Sequence, residues 1–116
     1  MTASTIPNVV PAGQAYYVAA TGTSQYVTVT STNGSISSIY VENLDSTNDV
    51  FVNAVAGTAQ VTATAPTTGN PQTGVAVQNG VGRSIYVCSP NQNVTQANVA
   101  VVTFTSTANV VITPIC

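Results

Sequence analysis

Histidine, lysine and tryptophan are absent from the chain, and only Arg83, Glu42, Asp45 and Asp49 ionise strongly. Each absence excludes something. Without histidine the chain lacks the usual proton carrier near neutral pH and the commonest metal ligand. With one arginine and no lysine it cannot neutralise a run of phosphates and release their counterions, which excludes nucleic acid as a partner. The same shortage excludes an anionic membrane surface. No apolar run approaches the roughly 18 residues of a membrane helix. Met1 to Gly13 shows neither the basic start nor the apolar stretch of a signal peptide. Cys88 and Cys116 are therefore expected as free thiols in a reducing compartment, and the sequons at Asn33 and Asn93 are expected to go unused.

Leucine and glutamate each occur once, so of the good helix formers only alanine is plentiful. Valine and threonine dominate instead, and their branched Cβ atoms favour pleated, half-buried positions. Period-2 stretches separated by turn residues recur along the chain. They predict strands over 14–20, 25–31, 35–43, 50–55, 60–64, 74–78, 83–88, 98–105 and 109–113. Val27 with Val29, and Ile39 with Val41, are expected to share inward faces. Asn33-Gly34, Gly57 and Asn79-Gly80 are read as hairpin turns, and the last two strands as a fourth hairpin. Residues 65–73, with Pro66, Gly69 and Pro71, read as a long loop.

About eight short strands at this spacing predict an all-β, jelly-roll-like antiparallel sandwich over 14–116, preceded by an extended arm over 1–13 that carries Pro7 and Pro11. Ser38-Ile39-Tyr40-Val41 recurs as Ser84-Ile85-Tyr86-Val87, which suggests two strands in related positions. At 116 residues the chain has room for one such core.

Chemistry has few places to reside. Serines are plentiful, but no Gly-x-Ser-x-Gly elbow is present. Glu42, Asp45 and Asp49 sit at one strand end and its turn, where carboxylates commonly bond their own backbone. A carboxylate enzyme is set aside on that ground. A calcium site at Asp45, Asn48 and Asp49 lacks the spacing of a calcium loop, and no metal or cofactor is assigned. Gly80-Val81-Gly82-Arg83 lacks the lysine and third glycine of a phosphate loop. Arg83 is expected to form an ion pair or clamp a carbonyl. Tyr16, Tyr17, Tyr26, Tyr40, Phe51, Tyr86 and Phe104 are expected as core or rim packing. No catalytic residue is assigned, and the expectation is a protein without enzymatic activity.

Scarce charge has a second meaning. A free monomer gains solubility from net charge, whereas a subunit packed among neighbours avoids the desolvation each charge would cost. Open sheet edges need charges or proline as guards, and few are available here. The chain therefore reads as a subunit of an assembly.

From Ser-Ile-Tyr-Val-Glu-Asn (38–43) through Asp-Val-Phe-Val-Asn-Ala (49–54) to Thr-Ala-Asn-Val-Val-Ile-Thr-Pro (107–114), the pattern over 24–114 resembles small all-β virion proteins of tailed bacteriophages. Capsid decoration (cement) proteins are the nearest in style. The resemblance implies a homo-oligomer, trimeric in many such proteins, made in the host cytoplasm. It would bind the outer head surface of the virion, with the major capsid protein and other virion subunits as partners. It leaves open a head-tail joining or tail subunit, and, in another class, a carbohydrate-binding adhesin or fibre module.

Overall fold

In the computed structural model, which describes residues 11–69, 74–87 and 93–116, the alternating stretches form eight strands. They are β1 (Tyr16–Ala20), β2 (Gln25–Thr30), β3 (Ser38–Asn43), β4 (Val50–Ala56), β5 (Val75–Val77), β6 (Gly82–Tyr86), β7 (Gln96–Val102) and β8 (Ala108–Ile115). No helix occurs among the described residues. The strands pair antiparallel in two four-stranded sheets, ordered β1-β8-β3-β6 and β2-β7-β4-β5.

The pairings β1·β8, β2·β7, β3·β6 and β4·β5 are those of one long antiparallel ribbon folded at the β4–β5 link. Winding that ribbon until β8 meets β3 and β7 meets β4 produces the two sheets. This is the jelly roll, and the fold expected from strand spacing is the fold observed. The Ser-Ile-Tyr-Val echo falls on β3 and β6, which pair with Ile39 opposite Ile85, Ser38 opposite Tyr86 and Tyr40 opposite Ser84.

Neighbour choice differs from the sequence reading. Only β4 and β5 are successive strands in one sheet, so Asn33-Gly34, Asn79-Gly80 and the β7–β8 link turn corners between sheets. A two-residue type I′ hairpin needs positive φ at both central residues. Here Gly34 (φ 86°) and Gly80 (φ 72°) have it, but no described residue other than glycine does. Asn33 and Asn79 thus stay in ordinary conformations and the chain leaves the sheet. The hairpin predicted around Gly57 is also missing, because residues 60–64 form no strand and β4 pairs with β5 instead. Gly74 makes that pairing feasible: at φ 115°, a Cβ there would collide with the Val52 carbonyl.

Inward residues follow the predicted parity. Val29, Ile39 and Val41 are fully buried and Val27 packs against the same cluster, in which Val29 and Val99 of one sheet face Ile39, Val41, Val110 and Ile112 of the other. A second cluster, of Phe51, Val61, Ala63, Ala100 and Val102, lies on the outer side of the β2-β7-β4-β5 sheet. Residues 57–65 cross that face as a strap. Asn98 Nδ2 donates to the Ala59 carbonyl (2.7 Å), Asn53 Nδ2 to the Thr62 carbonyl (2.9 Å), and the Ala63 N–H to Ser24 Oγ (3.0 Å). Phe104 meets Phe51 edge-on at 5.0 Å. The strap explains why β7 is buried on both faces from Ala97 to Val102.

Residues 11–13, read from sequence as the end of the arm, are packed into the body. Pro11 bridges Ile115, and Ala12 is fully buried. The Ala12 N–H donates to the Pro114 carbonyl (2.9 Å), while its own carbonyl accepts from the N–H groups of Thr32 (2.7 Å) and Asn33 (2.9 Å). The remainder of the arm, 1–10, lies outside the described residues.

Candidate functional site

Among the described residues, one sheet is covered by a strap of its own chain and the other carries none. On the β1-β8-β3-β6 sheet the outward residues are those between the buried ones: Tyr17 and Ala19 on β1, Asn109, Val111 and Thr113 on β8, Tyr40 and Glu42 on β3, and Ser84 and Tyr86 on β6. Register sets them in rows. Tyr17, Val111, Glu42 and Gly82 form one, Thr113, Tyr40 and Ser84 the next, and Ile115, Ser38 and Tyr86 a third. Tyr17 is 65 % exposed and Tyr86 64 %. The Tyr40 ring lies across Gly82, where any Cβ would strike it, so this tyrosine spreads flat on the sheet instead of standing up. The result is a flat face of tyrosine, threonine and valine with one ionised group, Glu42.

All four strong charges gather at one corner. Glu42, the last residue but one of β3, lies opposite Gly82, Arg83 pairs with Val41, and Asp45 and Asp49 occupy the β3–β4 loop. Arg83 Nη1 donates to the Ala76 carbonyl (3.0 Å), so it acts as a carbonyl clamp joining the β6 and β5 edges.

The carboxylates of the loop serve the loop. Asp45 Oδ2 accepts from the N–H groups of Thr47 (3.0 Å) and Asn48 (2.7 Å), and from Thr47 Oγ1 and Asn48 Nδ2. Those bonds, the Thr47 N–H first and the Asn48 N–H second, hold the Asp45 carboxyl below its ordinary value against an opposing cost of desolvation. Asp49 Oδ1 accepts from the Asn79 N–H (3.1 Å), and Asn79 Nδ2 donates to the Ser46 carbonyl (2.8 Å). No cluster of three metal-ligating side chains occurs among the described residues.

A pH dependence follows from Asp45. Its folded pKa is depressed, so its contribution to stability is present above the unfolded value of 3.8 and is lost as pH falls through the lower folded value. Asp45→Asn is expected to flatten the acid limb of the unfolding midpoint below about pH 4 and to lower the midpoint at neutral pH. Parallel acid limbs for the variant and the native chain in thermal melts would refute this.

Sequence reasoning missed Asn43. It is buried at the end of β3, where Nδ2 donates to the carbonyls of Asn48 (2.8 Å) and Val77 (3.1 Å), and Oδ1 accepts from the Asp45 N–H (3.0 Å). Its backbone bonds Val81 and Gly80 at the β5–β6 corner. The available signal was a polar residue in phase with Ile39 and Val41, that is, a polar group on the core face. Asn98 is the counterpart on β7, accepting from Thr28 Oγ1 (2.6 Å) while it holds the strap.

The two sequons meet, since Ser35 Oγ donates to Asn93 Oδ1 (2.8 Å). Cys116 is a free, exposed thiol near the Asn33 carbonyl (3.2 Å), and Cys88 lies outside the described residues. An open cleft of about 350 Å³ lies between Ala56-Gly57 and residues 93–96, without an ionisable group in its lining. The chain matches no known family and no curated protein.

Proposed function

We propose that the chain is a structural subunit of a virion, a decoration or cement protein that binds the outer surface of an assembled head and stabilises the shell. The observation that carries this reading is the contrast between the two sheets. Residues 57–65 cover one outer face, whereas the other is flat, nearly uncharged and without a strap among the described residues, with Tyr17 and Tyr86 exposed upon it. Tyrosine is enriched at protein interfaces because a large apolar ring carries a polar tip that can remain hydrogen-bonded. The resemblance over 24–114 narrows an assembly to a shell, with the major capsid protein as partner.

A carbohydrate-binding module is the rival from another class, and the same tyrosines bear on it. Tyr17 and Tyr86 stand on opposite edge strands, about 14 Å apart across the sheet by strand spacing alone. Tyr40, between them, is laid over Gly82. Such a flat, dispersed arrangement suits a protein surface better than a groove that sandwiches a sugar ring.

The test is attachment to heads that lack the protein. The native chain is expected to bind stoichiometrically and to raise the heads' resistance to heat or chelators. Tyr86→Ala is expected to weaken attachment by about tenfold or more while leaving the fold intact. Failure of the native chain to bind heads, together with retention on a glycan array, would replace this reading by the carbohydrate one.

A further inference from the structure

Each sheet of the sandwich ends in two edge strands, and ties among the described residues reach three of the four. The β5 and β6 edges are joined by the Arg83 clamp on Ala76. The β2 edge is tied at its Thr30 end by Tyr16 of β1 and by Ala12 before it. Tyr16 Oη accepts from the Thr30 N–H (3.3 Å), and Ala12 binds Thr32 and Asn33 just beyond. No such tie reaches the outward backbone groups of β1 among the described residues. The strand carries no charge, no proline and no bulge over Tyr16–Ala20.

Its hydrogen-bonding parity can be read from β8. The Asn109 carbonyl accepts from Leu44 and that of Ile115 from Ser37, so the odd-numbered residues of β8 turn their backbone groups toward β3. The Pro114 carbonyl accepts from Ala12, so the even-numbered ones face β1. Tyr16, Val18 and Ala20 lie opposite Ile112, Val110 and Ala108 and take those bonds. Tyr17 and Ala19 therefore point their N–H and C=O groups out of the sheet, without a partner among the described residues.

We infer that β1 pairs antiparallel with β1 of a second copy about a two-fold axis at Val18, making one continuous eight-stranded sheet. In that register Tyr17 of each copy lies opposite Ala19 of the other. Both are outward-pointing residues, so each such pair exchanges two backbone hydrogen bonds, four across the seam. Their side chains share the outer face, so each tyrosine ring rests over the partner's alanine and large meets small. Val18 meets its own copy on the inner side. Centring the axis on Tyr17 would set two tyrosines directly opposite and leave Ala19 facing residue 15, outside the strand.

The inference rests on the assembly reading in one respect, the area available. One face of four strands, each about 20 Å long, covers about 400 Å². A specific interface takes about 800 Å² from each partner. Joining two copies edge to edge doubles the flat tyrosine face to about that figure. The pairing is isologous, so it gives two-fold symmetry in place of the trimer implied by the resemblance.

Sedimentation equilibrium of the whole chain up to about 1 mM tests it. The native protein is expected to show a monomer–dimer equilibrium. Ala19→Pro removes the outward N–H without touching a β8 bond and is expected to weaken dimerisation by about tenfold or more. Tyr17→Lys places a charge at the seam and is expected to do the same by a separate route, which keeps the test decisive if the proline variant fails to fold. A monomer at all concentrations, a dimer indifferent to both substitutions, or a trimer overturns the inference. So does a chain that dimerises only when residues 1–10 are deleted, because the edge is then covered from within. Head attachment is read separately through Tyr86→Ala, so loss of the dimer and loss of the shell reading give different results.

Discussion

Asn43→Ala is expected to cost about 3 kcal/mol of folding free energy and to lower Tm by about 12 °C. The Asn43 side chain is 2 % exposed and makes three hydrogen bonds, to the carbonyls of Asn48 and Val77 and from the Asp45 N–H. Alanine leaves all three partners without their bonds, in a place where water reaches them poorly. An unsatisfied buried group costs about 1–3 kcal/mol, whereas the bond itself contributes only about 1. Taking the lower figure for each partner gives the stated value. Asn43→Asp is expected to fare no better, because a carboxylate accepts from Asp45 but turns the two carbonyls into repulsive neighbours. Equilibrium unfolding in urea measures the difference, and a loss below about 1 kcal/mol for Asn43→Ala would show that water replaces the amide. The effect reaches the proposed surface, since the same residue's backbone binds the β5–β6 corner beside Gly82, over which Tyr40 is spread.

What the sequence disclosed, and what it withheld, follows from the physics of sheets. A period of two states which side chains share a face, so Val27 with Val29 and Ile39 with Val41 were legible, and with them the strands and the sandwich. Period says nothing about which strand lies alongside. Local turn chemistry was the only guide to that, and it misled at Asn33-Gly34 and Asn79-Gly80. Glycine's positive φ serves a corner as readily as a hairpin, and the asparagine that would have completed a type I′ turn stays at negative φ. Val61 and Ala63 alternate with polar residues as a strand would, yet they pack as a strap on Phe51 and Ala100. Alternation reports one buried side, and a strap has one too. The bare face of the β1-β8-β3-β6 sheet was hidden for a different reason. Its residues come from four separate segments, and only the register of β1, β3, β6 and β8 brings Tyr17, Val111 and Glu42 into one row. The scarcity of charge, by contrast, needed no structure to be seen. The structure adds its distribution, with Glu42, Asp45, Asp49 and Arg83 at one corner and none in β1, β2, β7 or β8.

Where the arm ends and the body begins decides the second large effect. Deletion of residues 1–13 is expected to destabilise the domain by about 4 kcal/mol more than deletion of 1–10. The three residues that distinguish the two truncations include Ala12, which is fully buried, donates to Pro114 and accepts from both Thr32 and Asn33. Losing those three bonds accounts for about 3 kcal/mol at about 1 each, and losing the alanine's burial for about another 1. The consequences spread because these bonds join the end of β8 to the chain leaving β2, one strand in each sheet. With Ala12 gone, Asn33 is left with a weak sulfur contact from Cys116 to its carbonyl, and the next tie to β8 is the Ser37 N–H on the Ile115 carbonyl (2.8 Å). The shorter deletion keeps that joint and is expected to alter assembly without altering the fold. Urea midpoints that coincide for the two truncations would mean that Ala12 is dispensable, and the body of the domain would then start at β1. If only the longer deletion loses the cooperative transition, then residues 11–13 belong to the sandwich, and any loss of head attachment on removing 1–10 can be assigned to the arm rather than to unfolding.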